Sequence, residues 1–108
     1  MALSIEIDNQ ATHVSIFLEG EVDTKSAPQL LDTLTQIGLQ ELAELRIHAF
    51  KLTFMSSAGL RALVFAKQKM PHESRLIFVG GSADIKDVIA RTGLGNAVLL
   101  LDSLDDLD

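Results

Sequence analysis

The chain changes its hydrophobic period in a fixed order, and that order constrains its folds more than any other feature. It opens with "LSIEI" and "HVSIFLEG", where Ile5 and Ile7, then Val14, Ile16 and Leu18, alternate with other residues. A period of two reads as two strands, joined by the turn-prone "DNQAT". From about Ser26 the period becomes helical. Ser26 stands as an N-cap, Pro28 fits the first turn, and Leu30, Leu31, Leu34 and Ile37 recur before Gly38. "LRIHAF" reads as a third strand that Arg46 and His48 interrupt. Between Ser57 and Met70 there is no proline, and no glycine after Gly59, so a second helix is expected there. "RLIFVGG" is a compact strand closed by two glycines. "SADIKDVIARTGL" is a third helix, capped by Ser82, with Ile85, Val88 and Ile89 as its inner stripe and Gly93 as its stop. "AVLLL" is a last strand, and "SLDDLD" resembles the first turn of a helix that barely forms.

The order β-β-α-β-α-β-α-β, with that short terminal α, implies parallel strands joined by crossover helices that pack on the sheet. The expectation is one α/β sandwich over residues 1–108, with a mixed, mostly parallel sheet. Composition agrees, since 47% of the residues are hydrophobic and 22% charged, the balance of a folded globular chain. There is no cysteine, which excludes a disulfide framework and a thiolate zinc site. A net charge of −6 argues against nucleic acid and anionic membranes, although Asp102, Asp105, Asp106 and Asp108 contribute much of it at the very end. No apolar run approaches the roughly 18 residues of a membrane span, and "MALSIEIDNQ" lacks the basic start of a signal peptide. The expected compartment is the cytoplasm.

The stretch "FMSSAGLR" carries the chemistry. It places Ser56 and Ser57 where a strand gives way to a helix, with Gly59 allowing close backbone approach. One reading makes Ser57 an N-cap, which contributes about 1 kcal/mol. The other makes it a phosphate acceptor, because first-turn amides are unpaired donors at the positive end of the helix dipole. Along the second helix Gly59, Ala62, Leu63, Ala66 and Met70 share one face, while Arg61, Phe65 and Gln68 form the opposite stripe. Phe65 there is either an interface anchor or a residue that a rotated helix buries.

Other chemistries find little support. His13, His48 and His72 have no ligand spacing, so no metal is expected, and His48 reads as a partly buried strand residue. "MSSAG" lacks the first glycine of a nucleophile elbow, there is no P-loop, and "VGGS" is too short for a dinucleotide fingerprint. No cofactor is implied.

"FLEGEVDTKSAPQLLDTL", then "LTFMSSAGLRALVFAKQ" some thirty residues on, then "LIFVGGSADIKDVIARTGL", resemble the STAS domain family across nearly the whole chain. They are similar in particular to the stand-alone bacterial anti-sigma factor antagonists. The resemblance implies a protein that works by binding. Unphosphorylated, it would dock on a serine protein kinase that is also an anti-sigma factor, and so free the sigma factor. That kinase would phosphorylate a serine at the start of the second helix, and a metal-dependent serine phosphatase would remove the phosphate. The family pattern is Asp, two hydroxyl residues, then Gly. Aligned on Gly59, Ser56 occupies the Asp position, Ser57 the first hydroxyl and Ala58 the second, so Ser57 is the first choice of acceptor and Ser56 the alternative. His48 stands where the third strand usually ends in Asp. Asp23, in "GEVD", matches; it reads either as a kinase contact or as a turn carboxylate. The partner surface implied comprises Asp23, Thr24, Met55, Gly59, Arg61 and Phe65. Two alternatives remain: the same switch acting on a non-sigma pathway such as biofilm or secretion control, and a structural or transport-associated STAS subunit whose serines are only caps.

Overall fold

In the computed structural model, which describes residues 3–10, 12–91 and 98–101, the strands form one five-stranded sheet in the order β1-β2-β3-β4-β5. β1 (Leu3–Gln10) and β2 (His13–Val22) make an antiparallel hairpin in which Ile7 faces Ile16. β2, β3 (Glu44–Met55), β4 (Arg75–Val79) and β5 (Val98–Leu101) then run parallel. The connections are α1 (Ala27–Gln36), α2 (Ser57–Lys69) and α3 (Ala83–Arg91). Each connection steps one strand in the same direction, and right-handed crossovers of that kind put all three helices on one face. Ile85 and Ile89 of α3 accordingly join the core cluster that holds Leu30 and Leu34 of α1 and Leu63 and Ala66 of α2. The architecture is the mixed, mostly parallel α/β arrangement that the changing period implied.

Parallel register fixes which side chains share a face. Ile16, Ile47 and Phe78 pair across three strands and form the inner row, all fully buried. Phe17, His48 and Val79 pair on the other face. Arg46 and His48 therefore do not interrupt β3; they are its alternate residues, on the side away from the helices. β3 also reaches Met55, five residues beyond "LRIHAF". Two register shifts, between Phe17 and Glu19 and between Gly20 and Glu21, keep it paired with β2 to the end. Gly20 takes φ 106° at the second shift, a conformation that costs glycine little. Such irregularity blurs a strict period of two and hides the last five residues of the strand from the sequence pattern.

Several smaller expectations need correction. A short 3-10 turn, Leu39–Glu41, follows α1 and buries Leu39. Val88 is 39% exposed, so the inner stripe of α3 is Ile85 and Ile89 alone. Ser82 does cap α3, accepting from the Ile85 amide at 3.2 Å. The stop at Gly93 and the terminal turn in "SLDDLD" lie outside the described residues.

At the end of the sheet remote from the serines, Glu44 is 2% exposed and bonded to both Arg46 and Arg75. Burial alone would raise its carboxyl, but hydrogen bonds and charge from the two guanidinium groups outweigh that and hold it below the usual range.

Candidate functional site

Val22 and Met55, the last residues of β2 and β3, are register partners, and the Ser56 amide donates to the Val22 carbonyl at 2.7 Å. The loop after β2 and the turn after β3 thus leave the sheet side by side, at the carboxyl ends of neighbouring parallel strands. Open α/β sheets characteristically build binding sites at that edge.

Asp23 organises the first of these loops. Its Oδ1 accepts from the amides of Lys25 at 2.9 Å and Ser26 at 2.8 Å. The Ser26 hydroxyl donates to the Glu21 carbonyl at 2.7 Å, has Asp23 Oδ1 as a second acceptor at 3.0 Å, and itself accepts from the Asp23 amide at 2.9 Å. The amide and hydroxyl of Ser26 hold the Asp23 carboxyl below its ordinary range. Ser26 stands at the N-cap position of α1, yet its hydroxyl makes no capping bond because it is committed to this loop. Asp23 is therefore a turn carboxylate by geometry, and its partly exposed position beside the serine turn leaves contact with a partner open as well.

The two serines divide their duties. Ser56 has an extended backbone, φ −84° and ψ 171°, and its Oγ accepts from the Gly59 amide at 3.3 Å. The cap is Ser56, not Ser57. Ser57 is the first helical residue and is exposed, with no hydrogen-bond partner for its hydroxyl among the described residues. Ser56 thus satisfies the Gly59 donor, while the Leu60 amide bonds the Ser56 carbonyl at 3.1 Å. The amides of Ser57 and Ala58 remain without a protein acceptor among the described residues, the ordinary state of a first turn.

Beneath this turn α2 lies hard against the strands. A Cβ on Gly59 would sit 2.3 Å from Met55 Sδ and 2.6 Å from Val22 Cγ1, so no larger residue fits without displacing that packing. Gly59 and Met55 were expected at a partner contact. Both are buried, Met55 at 5% exposure, and they seat the helix from below.

The other expected residues do reach the surface. Thr24 and Arg61 are exposed and Phe65 is half-buried. With Pro28, Leu31 and Ala58 they line a groove of about 280 Å³ between α1 and α2. Phe65 packs on the core with one side and lines the groove with the other, with Lys69 Nζ 5.6 Å from the ring centroid. Leu31, which shares the helical spacing of Leu30 and Leu34, is 36% exposed and lines the groove; nothing in that spacing separates it from the two buried leucines.

Sequence reasoning also missed the character of the face without helices. Phe17 stacks on His48 with ring centroids 4.3 Å apart, and Phe17 and Phe50 stay 42% and 60% exposed. Phe50 leans over Gly80, where a Cβ would come within 2.6 Å of its ring. Burial first, and the nearby Arg46 charge second, lower the His48 pKa, and its buried Nε2 has no hydrogen-bond partner among the described residues. Among the described residues no group of three or more potential metal ligands converges, and no helix is long and apolar enough to cross a membrane.

Comparison with known proteins places this geometry. The sequence profile of the STAS domain matches residues 4–107. The anti-sigma-B factor antagonists of Listeria monocytogenes and Listeria innocua are each 33% identical over 100 residues, spanning 91% of this chain and 88% of theirs. Among solved structures, an anti-sigma factor antagonist from Mycobacterium paratuberculosis superposes with a TM-score of 0.86 at 23% identity, over 97% of this chain and 90% of that one. The phosphorylated form of the Bacillus cell fate determinant SpoIIAA superposes with a TM-score of 0.71 at 21% identity, over 99% and 97%. Fold, matched profile and the Listeria relatives agree: the chain belongs to the STAS domain family.

Proposed function

We propose that this chain is a phosphorylation-switched binding regulator of the anti-sigma factor antagonist kind, and not an enzyme. In its unphosphorylated state it docks on a serine protein kinase that serves as the anti-sigma factor, through the Asp23 loop, the serine turn and the α1–α2 groove. The kinase moves the γ-phosphoryl group of ATP to Ser57: the Oγ–P bond forms, the bond from phosphorus to ADP breaks, and the hydroxyl proton passes to the kinase. A metal-dependent serine phosphatase reverses the modification. The setting is cytoplasmic.

The observation that carries this reading is the division between the two serines. Ser56 is committed to capping, whereas the exposed Ser57 has no hydrogen-bond partner for its hydroxyl among the described residues and directly precedes Ala58, which lines the groove. A phosphate there adds about −1.5 to −2 charges to a docking face and brings a desolvation cost, without any refolding. Intact-mass measurement after incubation with ATP and the cognate kinase tests it. One added phosphate is expected on the parent chain and on Ser56→Ala, and none on Ser57→Ala. Loss in Ser56→Ala alone would move the acceptor by one residue; phosphate on none of the three would leave a plain docking domain.

A further inference from the structure

Ser57 and Arg61 stand four residues apart on α2, both exposed. That spacing puts them on one helix face, and helical side chains tilt toward the N-terminus, so the guanidinium of Arg61 reaches back toward Ser57. Arg61 makes no ion pair or hydrogen bond among the described residues, in contrast to Arg46, Arg75 and Arg91, which each hold a carboxylate. The residues that line the groove with it, among them Thr24, Ala58 and Phe65, are apolar or neutral. An unpaired guanidinium one helical turn from a hydroxyl suits a phosphate in particular, because its planar fork can donate two parallel hydrogen bonds to phosphate oxygens.

We infer that Arg61 is the counter-ion of a phosphate carried on Ser57, so that modification also draws the guanidinium off the α1–α2 groove. The inference rests on the proposed modification of Ser57 and specifies how the modified site is regulated. A phosphate then changes the docking face twice: it adds negative charge at the turn, and it occupies the guanidinium that, among the described residues, is the groove's cation. A partner that reads Arg61 through a carboxylate loses that contact at the same moment it meets the phosphate.

The test uses the full chain with phosphoserine installed at position 57 during translation, which requires no kinase. Failure of this inference is thereby distinguishable from failure of the kinase to modify Ser57. The second ionisation of the phosphate is followed by phosphorus NMR in the parent chain, Arg61→Gln and Arg61→Lys. Arg61 is exposed, so both variants are expected to fold, and the neighbouring charges of Asp23 and Lys25 are common to all three proteins. The midpoint is expected to rise by about half a pH unit in Arg61→Gln, a modest shift because the pair is open to solvent, with Arg61→Lys between the two. Identical midpoints in the parent and Arg61→Gln would overturn the pairing.

Discussion

Two adjacent serines with different hydrogen-bond duties give opposite expectations on substitution. Ser56→Ala removes the acceptor of the Gly59 amide and is expected to cost about 1 kcal/mol by urea denaturation, while Ser57→Ala changes stability by no more than about 0.5 kcal/mol. A larger loss in Ser57→Ala than in Ser56→Ala would reverse the assignment of the cap. Gly59→Ala is more severe than either, because its methyl overlaps Met55 Sδ and Val22 Cγ1. Overpacking of that kind costs about 1–3 kcal/mol, and the same denaturation series measures it. The serine pair and Gly59 were legible in the sequence as a turn built for close approach. Which serine caps was not, since that depends on where the extended backbone of β3 ends, and irregular pairing with β2 hides that point.

At the scale of elements, β3 carries two buried ionisable groups on the face away from the helices, and both predict stability lost on acidification, in different pH windows. His48 has a lowered pKa, so the folded state binds fewer protons than the unfolded one. Its neutral form therefore contributes stability that is complete above pH 6.5, the ordinary histidine pKa, and lost as pH falls below it. His48→Phe keeps a ring against Phe17 and removes both the titration and the unpartnered Nε2. Urea midpoints at about pH 7.5 and 5.5 should therefore differ less in His48→Phe than in the parent. An unchanged difference would locate the pH dependence elsewhere. Glu44 also has a lowered pKa, so its contribution is present above pH 4.5, the ordinary value of its carboxyl, and disappears as pH falls through its folded pKa. Glu44→Gln is expected to cost about 2 kcal/mol at pH 7, from lost charged hydrogen bonds to two half-exposed arginines, and little at low pH. Sequence patterning found these strands from one face only: Ile47 and its neighbours announced the core. Arg46 and His48 looked like interruptions because nothing in a single strand's pattern tells which partners lie across the sheet.

For the whole molecule, topology was legible because every helix lies between strands, and short right-handed crossovers leave one arrangement of a parallel sheet. The groove was legible only in pieces. Thr24, Arg61 and Phe65 stood out by their position near the serines, whereas Pro28 and Leu31 entered it through the packing of α1 on α2. That packing brings the proposed phosphate acceptor Ser57, an organised carboxylate loop and a half-apolar surface to one edge of the sheet, which is what a docking face controlled by charge requires. The chain already carries a net charge of −6, so a phosphate acts by its place in the contact and not by the total. Calorimetric affinity for the cognate serine kinase, compared between the unmodified chain and the chain carrying phosphoserine at position 57, measures that effect directly. Phosphate is expected to weaken binding at least about tenfold, or roughly 1.4 kcal/mol. Equal affinities for the two forms would contradict the account.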